Sequence, residues 1–417
     1  MNRRDFFDLT ARAAALAAVA ETILPRTHAS PLEAAKDEDF WMAIRNEFTT
    51  DRTVVNLNNG HVSPSPRTVQ EAMKRYLDYS NMGPYHTMIQ QLEPKVETAR
   101  RMIAEAAGCD AEEVAITRNS SESLEIAQFG IELKAGDELL TTNQDYPRML
   151  TTFATRARRE GIKVTEISFP VPVVSMDDLY HRYEQAITPA TKVILVCHIT
   201  NRTGQIFPVR RIADMAHARG IKVIVDGAHA FQQFPYKISD LNCDYYGVSL
   251  HKWTFAPVGT GFLYVNKARI KETWPLLAAG ARQDDSIREF ENIGTYPAAN
   301  FLAICEAITF NQNIGLDRKA ERLRYLRQRW TDQLAANPKV KILHSSTSEL
   351  ACGIGMFGLN SGNLNTLNTN LISKYGIYTS VMPHAEFTGM RITPSVYTTV
   401  QEIDYFAKAV DTELKTL

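Results

Sequence analysis

The octapeptide VSLHKWTF, residues 248–255, places Ser249, His251, Lys252 and Trp253 inside an otherwise apolar run. Burial strips hydration from an ammonium group and depresses its pKa, so a lysine in that setting shifts toward the free amine. A free amine is a nucleophile that condenses with carbonyls. That is one use for Lys252; the other is a surface lysine whose stem lies along Trp253. A second chemical residue precedes it. The run VIVDGAHA, residues 223–230, delivers Asp226 at the carboxyl end of an apolar strand, where open α/β sheets hold ligands. A carboxylate there either pairs with a protonated pyridine nitrogen, keeping the ring electron-accepting, or simply closes a turn or caps a helix. Strand, aspartate, short crossover, strand, lysine is the order required to grip one aromatic aldehyde from both ends. Pyridoxal phosphate, bound as a Schiff base to a lysine, is the cofactor with those two handles.

The elements that must position this pair alternate along the chain. EVAIT, DELLTT, KVTEISF, KVILVCHIT, KVIVD, YYGVSL and GFLYV read as strands, several of them apolar on both faces, as when helices cover both sides of a mostly parallel sheet. PRMLTTFATRARREG and VRRIADMAHARG read as helices between them, the second ending at a glycine suited to a helix C-terminus. This α/β pattern runs to about Val265. Two long helical stretches follow, AANFLAICEAITFNQNIG and LDRKAERLRYLRQRWTDQLAANP. Beyond them lies an α+β module built from KVKILHS, CGIGMFGLN, a helix over NLNTLNTNLISKYG, IYTSVM, GMRITP and a terminal helix from about Thr399. The expected division is a segment at 31–80 packing on both parts, a large domain over 81–310 and a small C-terminal domain over 311–417.

Size and charge narrow the classes. A chain of 417 residues suits a large domain plus a smaller one, and a net charge of −1 with interspersed signs gives no field for nucleic acid or an anionic membrane. No stretch is long and apolar enough to span a bilayer. A small-molecule partner is therefore expected, without nucleic acid or membrane. Cys109, Cys197, Cys243, Cys305 and Cys352 are odd in number, widely spaced and form no CxxC pair, which points away from a disulfide framework and from structural zinc, and no metal is expected. Residues 1–30 have a basic start, an Ala-rich middle and THA before Ser30, the layout of an export signal. With Arg3, Arg4 and Phe6 they resemble a twin-arginine signal, which implies a periplasmic enzyme exported folded; the competing reading is an amphipathic helix on a cytoplasmic protein.

VIVDGAHAFQQFP followed by LNCDYYGVSLHKWTFAPVGTGFLYV resembles the class V branch of fold-type I pyridoxal-phosphate enzymes. That branch includes class V aminotransferases, isopenicillin N epimerase-like proteins, cysteine desulfurases and kynureninases. The resemblance extends through most of residues 50–415, and the opening NLNNGHVSPSP points to the isopenicillin N epimerase-like group. It implies a large domain with a mostly parallel seven-stranded sheet, a smaller α+β domain, and a set of roles. Asn119, Ser120 and Ser121, where a strand meets a helix, would seat the phosphate, which suits the N–H groups of a helix N-terminus; a plain capping box is the other use. Ser249 and His251 would reach the same phosphate. Tyr146, in NQDYPRM, would stack on the pyridine; His229 and Asn201 would meet its phenolic oxygen and tune the imine nitrogen. Arg391, in GMRITPS, would grip a substrate carboxylate, with Asn59 and Gly60 beside the substrate. Thr295, in NIGTYP, would cross a dimer interface to the partner's phosphate, which implies a homodimer with a shared active site.

The expected chemistry is proton removal at the α-carbon of an amino acid or amino-bearing metabolite, with Lys252 as base and Asp226 holding the ring cationic. Aminotransferase-like activity leads, with epimerase and carbon–sulfur lyase as alternatives separated by loops such as NMGPYHTM and residues around Arg282. A non-catalytic binding protein of the same fold would be expected to lose Lys252 or Asp226, and a nicotinamide dehydrogenase to carry GxGxxG after a strand. Cysteine desulfurases of this branch carry a nucleophilic cysteine shortly before the substrate arginine. YGIYTSVMPHAEFTGMR contains none, which sets that activity aside.

Overall fold

The computed structural model describes residues 29–277 and 286–417. The export signal expected at 1–30 lies outside them except for its last two residues, and Arg282 lies outside them too. Ser30 caps the short helix Pro31–Ala34 through a capping box with Glu33.

The seven β-branched runs form one sheet. Its strands are β1 (Val114–Thr117), β2 (Glu138–Thr142), β3 (Lys163–Ile167), β4 (Thr191–Cys197), β5 (Lys222–Asp226), β6 (Tyr245–Ser249) and β7 (Gly261–Val265). They lie in the order β1, β7, β6, β5, β4, β2, β3. β7 is antiparallel to both neighbours, and every other pairing is parallel. Alternation along the strands feeds two cores: Val114, Ile116, Val223, Val225 and Val248 face one, while Ala115, Leu139, Leu195, Ile224 and Leu263 face the other. Helices cover both faces, which is why the inner strands carry no polar stripe, whereas the edge strand β3 exposes Lys163 and Glu166.

Two helices lead directly out of strand ends. α1 (Ser120–Gly130) starts at Asn119, whose side chain accepts from Glu122 N at 3.0 Å. α2 (Pro147–Glu160) starts with proline in its first turn after Tyr146 and stops at Gly161 with φ +76°. The helix expected over 209–220 is shorter. Val209–His217 ends in a right-handed turn at Ala218, and Gly220, at φ +69°, redirects the chain into β5 rather than capping the helix.

The stretch at 298–315 divides at Ala303 into Ala298–Leu302 and Ile304–Ile314, and α3 (Leu316–Ala335) follows Gly315. α3 buries Leu326, Trp330 and Leu334 with Phe406 and Val410 of the terminal helix Val400–Leu414, whose capping box begins at Thr399. β8 (Val340–Ile342), β9 (Gly355–Leu359), β10 (Ser380–Pro383) and β11 (Thr388–Ile392) form an antiparallel sheet ordered β10, β11, β9, β8. IYTSVM is two strands rather than one: Ile377–Tyr378 pairs in parallel with Val55–Asn56, and the chain then turns into β10. Phe40, Trp41 and Phe48 of the N-terminal segment share a core with Phe255, Phe310 and Tyr397, while Val69 and Ala72 join the main core.

Candidate active site

The carboxyl ends of β1, β2, β4, β5 and β6 converge on a cleft of about 670 Å³ whose far wall is β10 and β11 of the antiparallel sheet. Two glycines permit this convergence. A Cβ on Gly227 would overlap the ring of Tyr246, and one on Gly261 would fall 2.7 Å from the Asn119 Cα, so α1 can lie against β7 only over a glycine.

Lys252, half-buried, and Asp226, buried, both line this cleft. Lys252 Nζ lies 3.1 Å from His229 Nε2. Burial lowers the Lys252 ammonium from 10.5 to about 8, against the opposing pull of Asp226 and with reinforcement from Arg391. Burial likewise raises Asp226 from 3.8 to about 6; its Oδ1 accepts from Ala228 N at 3.0 Å, which favours the charged form. A cationic ring nitrogen brought against this carboxylate would satisfy it. His229 is pushed well below 6.5, first by burial and then by Lys252 and Arg391, so it is a neutral imidazole.

At one part of the cleft α1 is joined to β6. Ser120 N donates to Ser249 Oγ at 2.9 Å, and Ser249 Oγ donates to Ser120 Oγ at 2.9 Å. Asn119, Ser121 and His251 line the cleft around them. Asn119, rather than Ser120 or Ser121, is the N-cap of α1, and the Glu122 carboxylate accepts from Arg118 N at 2.7 Å, so a single side-chain cap stands in place of the expected capping box. Burial lowers His251 to about 4, and its Nδ1 has no hydrogen-bond partner among the described residues.

Arg391 enters the cleft from β11. Its Nη1 donates to Asn201 O at 2.9 Å and its Nη2 to Asn58 Oδ1 at 2.7 Å, while Nε has no partner among the described residues. Burial lowers it to about 10, aided by the nearby Arg202. Arg202 is also buried, donates through Nη1 to Pro383 O at 2.7 Å, and leaves its Nε unpartnered. Among the described residues neither guanidinium has a carboxylate partner. Two neighbouring buried cations of this kind call for an anion.

The remaining candidates fall into place unevenly. Tyr146 stands at the cleft wall, 38 % exposed. Asn201 lines the cleft with its Oδ1 buried and unpartnered. Gly60 lines it too, but Asn59 does not: that amide is fully buried and donates to Asn56 O and Thr393 O at 3.0 Å, while its oxygen accepts from Tyr397 at 2.6 Å. Asn59 thus braces the loop, and its neighbour Asn58 is the residue bonded to Arg391. Thr295 is exposed and lies outside this chain's cleft. None of residues 81–88 lines the cleft either; beyond Asn81 they enter a π-helical segment, Tyr85–Leu92, that packs beside the preceding helix. Asn58 and Arg202 escaped the sequence analysis because their bonds, to Arg391 and to the Pro383 carbonyl, run to partners distant in the chain.

No cysteine lines the cleft among the described residues. Cys352 is fully buried, its Sγ 3.6 Å from Gln233 O. Nor do the described residues contain a group of three or more His, Cys, Asp or Glu placed to hold a metal.

A seven-stranded, mostly parallel sheet with a lysine and an aspartate at adjacent strand ends defines a fold-type I cofactor enzyme. The chain belongs to the Aminotransferase class-V family, which matches residues 55–406. It is 28% identical over 388 residues to an isopenicillin N epimerase from Streptomyces clavuligerus, covering 89% of this chain and 98% of that protein. It is 27% identical over 393 residues to a cysteine desulfurase from Haloferax volcanii, covering 88% and 91%. A solved structure of a C-DES mutant with glycine covalently linked to its PLP cofactor superposes with a TM-score of 0.77 at 21% identity, over 88% of this chain and 99% of that one. The family and the donor set agree on pyridoxal phosphate. Unpartnered polar atoms on Asn201, His251 and Arg391, and a buried carboxylate at Asp226, are the groups such a ligand and its substrate would satisfy.

Proposed function

We propose that this protein is a pyridoxal-phosphate enzyme that moves a proton at the α-carbon of an amino acid or amino-bearing metabolite, with transamination as the outcome. The observation that carries this reading is the placement of Lys252. Its amine sits in a slot that depresses its pKa to about 8, between a carboxylate that would hold a ring nitrogen and an unpaired arginine that would hold a carboxylate.

Bound pyridoxal phosphate supplies an aldehyde that condenses with amines and a cationic ring that accepts the electron pair left at the α-carbon. The chain supplies the rest. Ser120, Ser121 and Ser249 would hold the phosphate with hydroxyl and helix N-terminal donors, so that the ring cannot slide along the cleft. Asp226 would keep the ring nitrogen protonated. Arg391, braced by Asn58 and the Asn201 carbonyl, would orient the substrate carboxylate and so fix which α-bond faces Lys252. The Lys252 amine would take the α-proton and return it. Tyr146 would cover one face of the ring and keep water from it.

Epimerisation is the second reading, supported by the likeness to isopenicillin N epimerase over 98% of that relative's length. It needs a proton returned on the face opposite Lys252. Cysteine desulfuration needs a thiol to receive sulfur as a persulfide, and the cleft offers none among the described residues. The deciding experiment is a single turnover with candidate amino acids in deuterated water. Keto acid in stoichiometric yield supports transamination. Inverted amino acid carrying α-deuterium would replace it with epimerisation.

A further inference from the structure

Behind the cleft, Trp253 makes a contact that the roles above leave unused. Its indole Nε1 lies 3.4 Å from His229 Nδ1, with the two rings 65° apart. An indole N–H donates and never accepts, so Nδ1 must be the acceptor. A neutral imidazole carries one N–H, which then has to sit on Nε2. Nε2 is the atom 3.1 Å from Lys252 Nζ. An ammonium has three donors and no lone pair, and would oppose that N–H donor to donor. The contact is favourable only when the amine is neutral and accepts.

Trp253 is held firmly enough to impose this. It is 1 % exposed and shares a core with Ile199, Ala230, Cys352 and Ile354. Its carbonyl accepts from Lys319 Nζ, on the small-domain helix α3. Lys319 is fully buried, donates also to Asn311 Oδ1 at 2.5 Å, and stands 4.1 Å from the Phe255 ring centroid. Asn311 in turn donates to Thr254 O at 2.8 Å. The charged and titratable groups around Lys252 are Asp226, Arg391, Cys197, His229 and His251; those around His229 are Lys252, Arg391, His251 and His61.

We propose that Trp253 is a positioning residue: its indole N–H sets the His229 tautomer so that Nε2–H donates to Lys252, holding that amine as the free-base nucleophile. The proposal rests on Lys252 being the condensing amine, but its first test does not. In the full-length chain without cofactor, nitrogen-15 spectra of labelled histidine are expected to show His229 with a bare Nδ1 and a protonated Nε2. A protonated Nδ1 in the wild type overturns the proposal, whether or not any variant folds.

The second test uses Trp253→Phe, which removes the N–H and keeps a ring. Losing one hydrogen bond to the neutral amine should raise the midpoint for pyridoxal phosphate uptake by about one pH unit, slowing uptake about tenfold near neutrality. Cys352→Ala, in the same core, controls for packing and should leave the midpoint in place. An unchanged midpoint in Trp253→Phe, or an equal shift in Cys352→Ala, overturns the proposal. A wild type that takes up no pyridoxal phosphate contradicts the cofactor reading instead, and the nitrogen spectrum still decides the tautomer.

Discussion

Ser249 Oγ lies 2.9 Å from both the backbone nitrogen and the hydroxyl of Ser120, joining the end of β6 to the N-terminus of α1. The same joint would set the distance between a phosphate held there and Lys252, three residues further on. Ser249→Ala removes one donor to a charged ligand, so pyridoxal phosphate affinity should fall roughly tenfold or more. Titration of cofactor absorbance against the apo chain checks this. Melting of the apo chain should fall as well, because the buried Ser120 amide loses its acceptor.

Arg391 offers a rigid fork where lysine offers a point charge. Arg391→Lys should raise KM for the amino substrate at least about tenfold, and it leaves Asn58 Oδ1 without its donor. Asn58→Ala loosens the fork without removing charge and should raise KM by roughly fivefold, in line with one lost hydrogen bond. Steady-state kinetics on both variants, read as KM against kcat, separates orientation from chemistry.

The titration of the central pair gives opposite slopes of stability with pH in the apo chain. Lys252 sits at about 8 when folded and 10.5 otherwise, so between those values the unfolded chain binds the extra proton and stability rises with pH. Asp226 sits at about 6 rather than 3.8, so in that window the folded chain binds the extra proton and stability falls as pH rises. Near pH 7 Asp226 is charged and buried at a cost. Asp226→Asn should therefore stabilise the apo chain at pH 7 by something on the order of 1–3 kcal/mol, while lowering turnover at least about a hundredfold. Denaturant melts of apo protein with parallel assays test both halves.

Sulfur chemistry gives a further check. With cysteine as substrate, no persulfide should form on the protein, and Cys352→Ala should turn over amino substrates at the wild-type rate, since Cys352 lies in the core behind Trp253. Alkylation and mass measurement of protein thiols after incubation with cysteine would reveal a persulfide if this is wrong.

The strands and their ligand ends were legible because a buried parallel sheet has a plain signature of apolar β-branched runs, and because Asp226 and Lys252 each follow such a run directly. Ser120, Ser249 and Arg391 were legible through family resemblance rather than periodicity. Contacts distant in the chain were not. Nothing around Asn58 announces a bond to Arg391, 333 positions away, and the adjacent Asn59 looks the same in sequence yet faces the loop interior. Trp253 read as an apolar neighbour for a lysine stem, because indole packing and indole donation look alike until the partner ring is placed. The division of IYTSVM depended on Val55–Asn56, which no local pattern could supply.

The central claim is that the Lys252 amine is the one that condenses with pyridoxal phosphate. Borohydride reduction of cofactor-loaded protein, followed by proteolysis and peptide mass mapping, tests it most directly. A single pyridoxyl-phosphate adduct on the peptide containing Lys252, absent in Lys252→Ala, is the expected result. An adduct confined to another lysine, or none on protein that has bound the cofactor, would contradict the account.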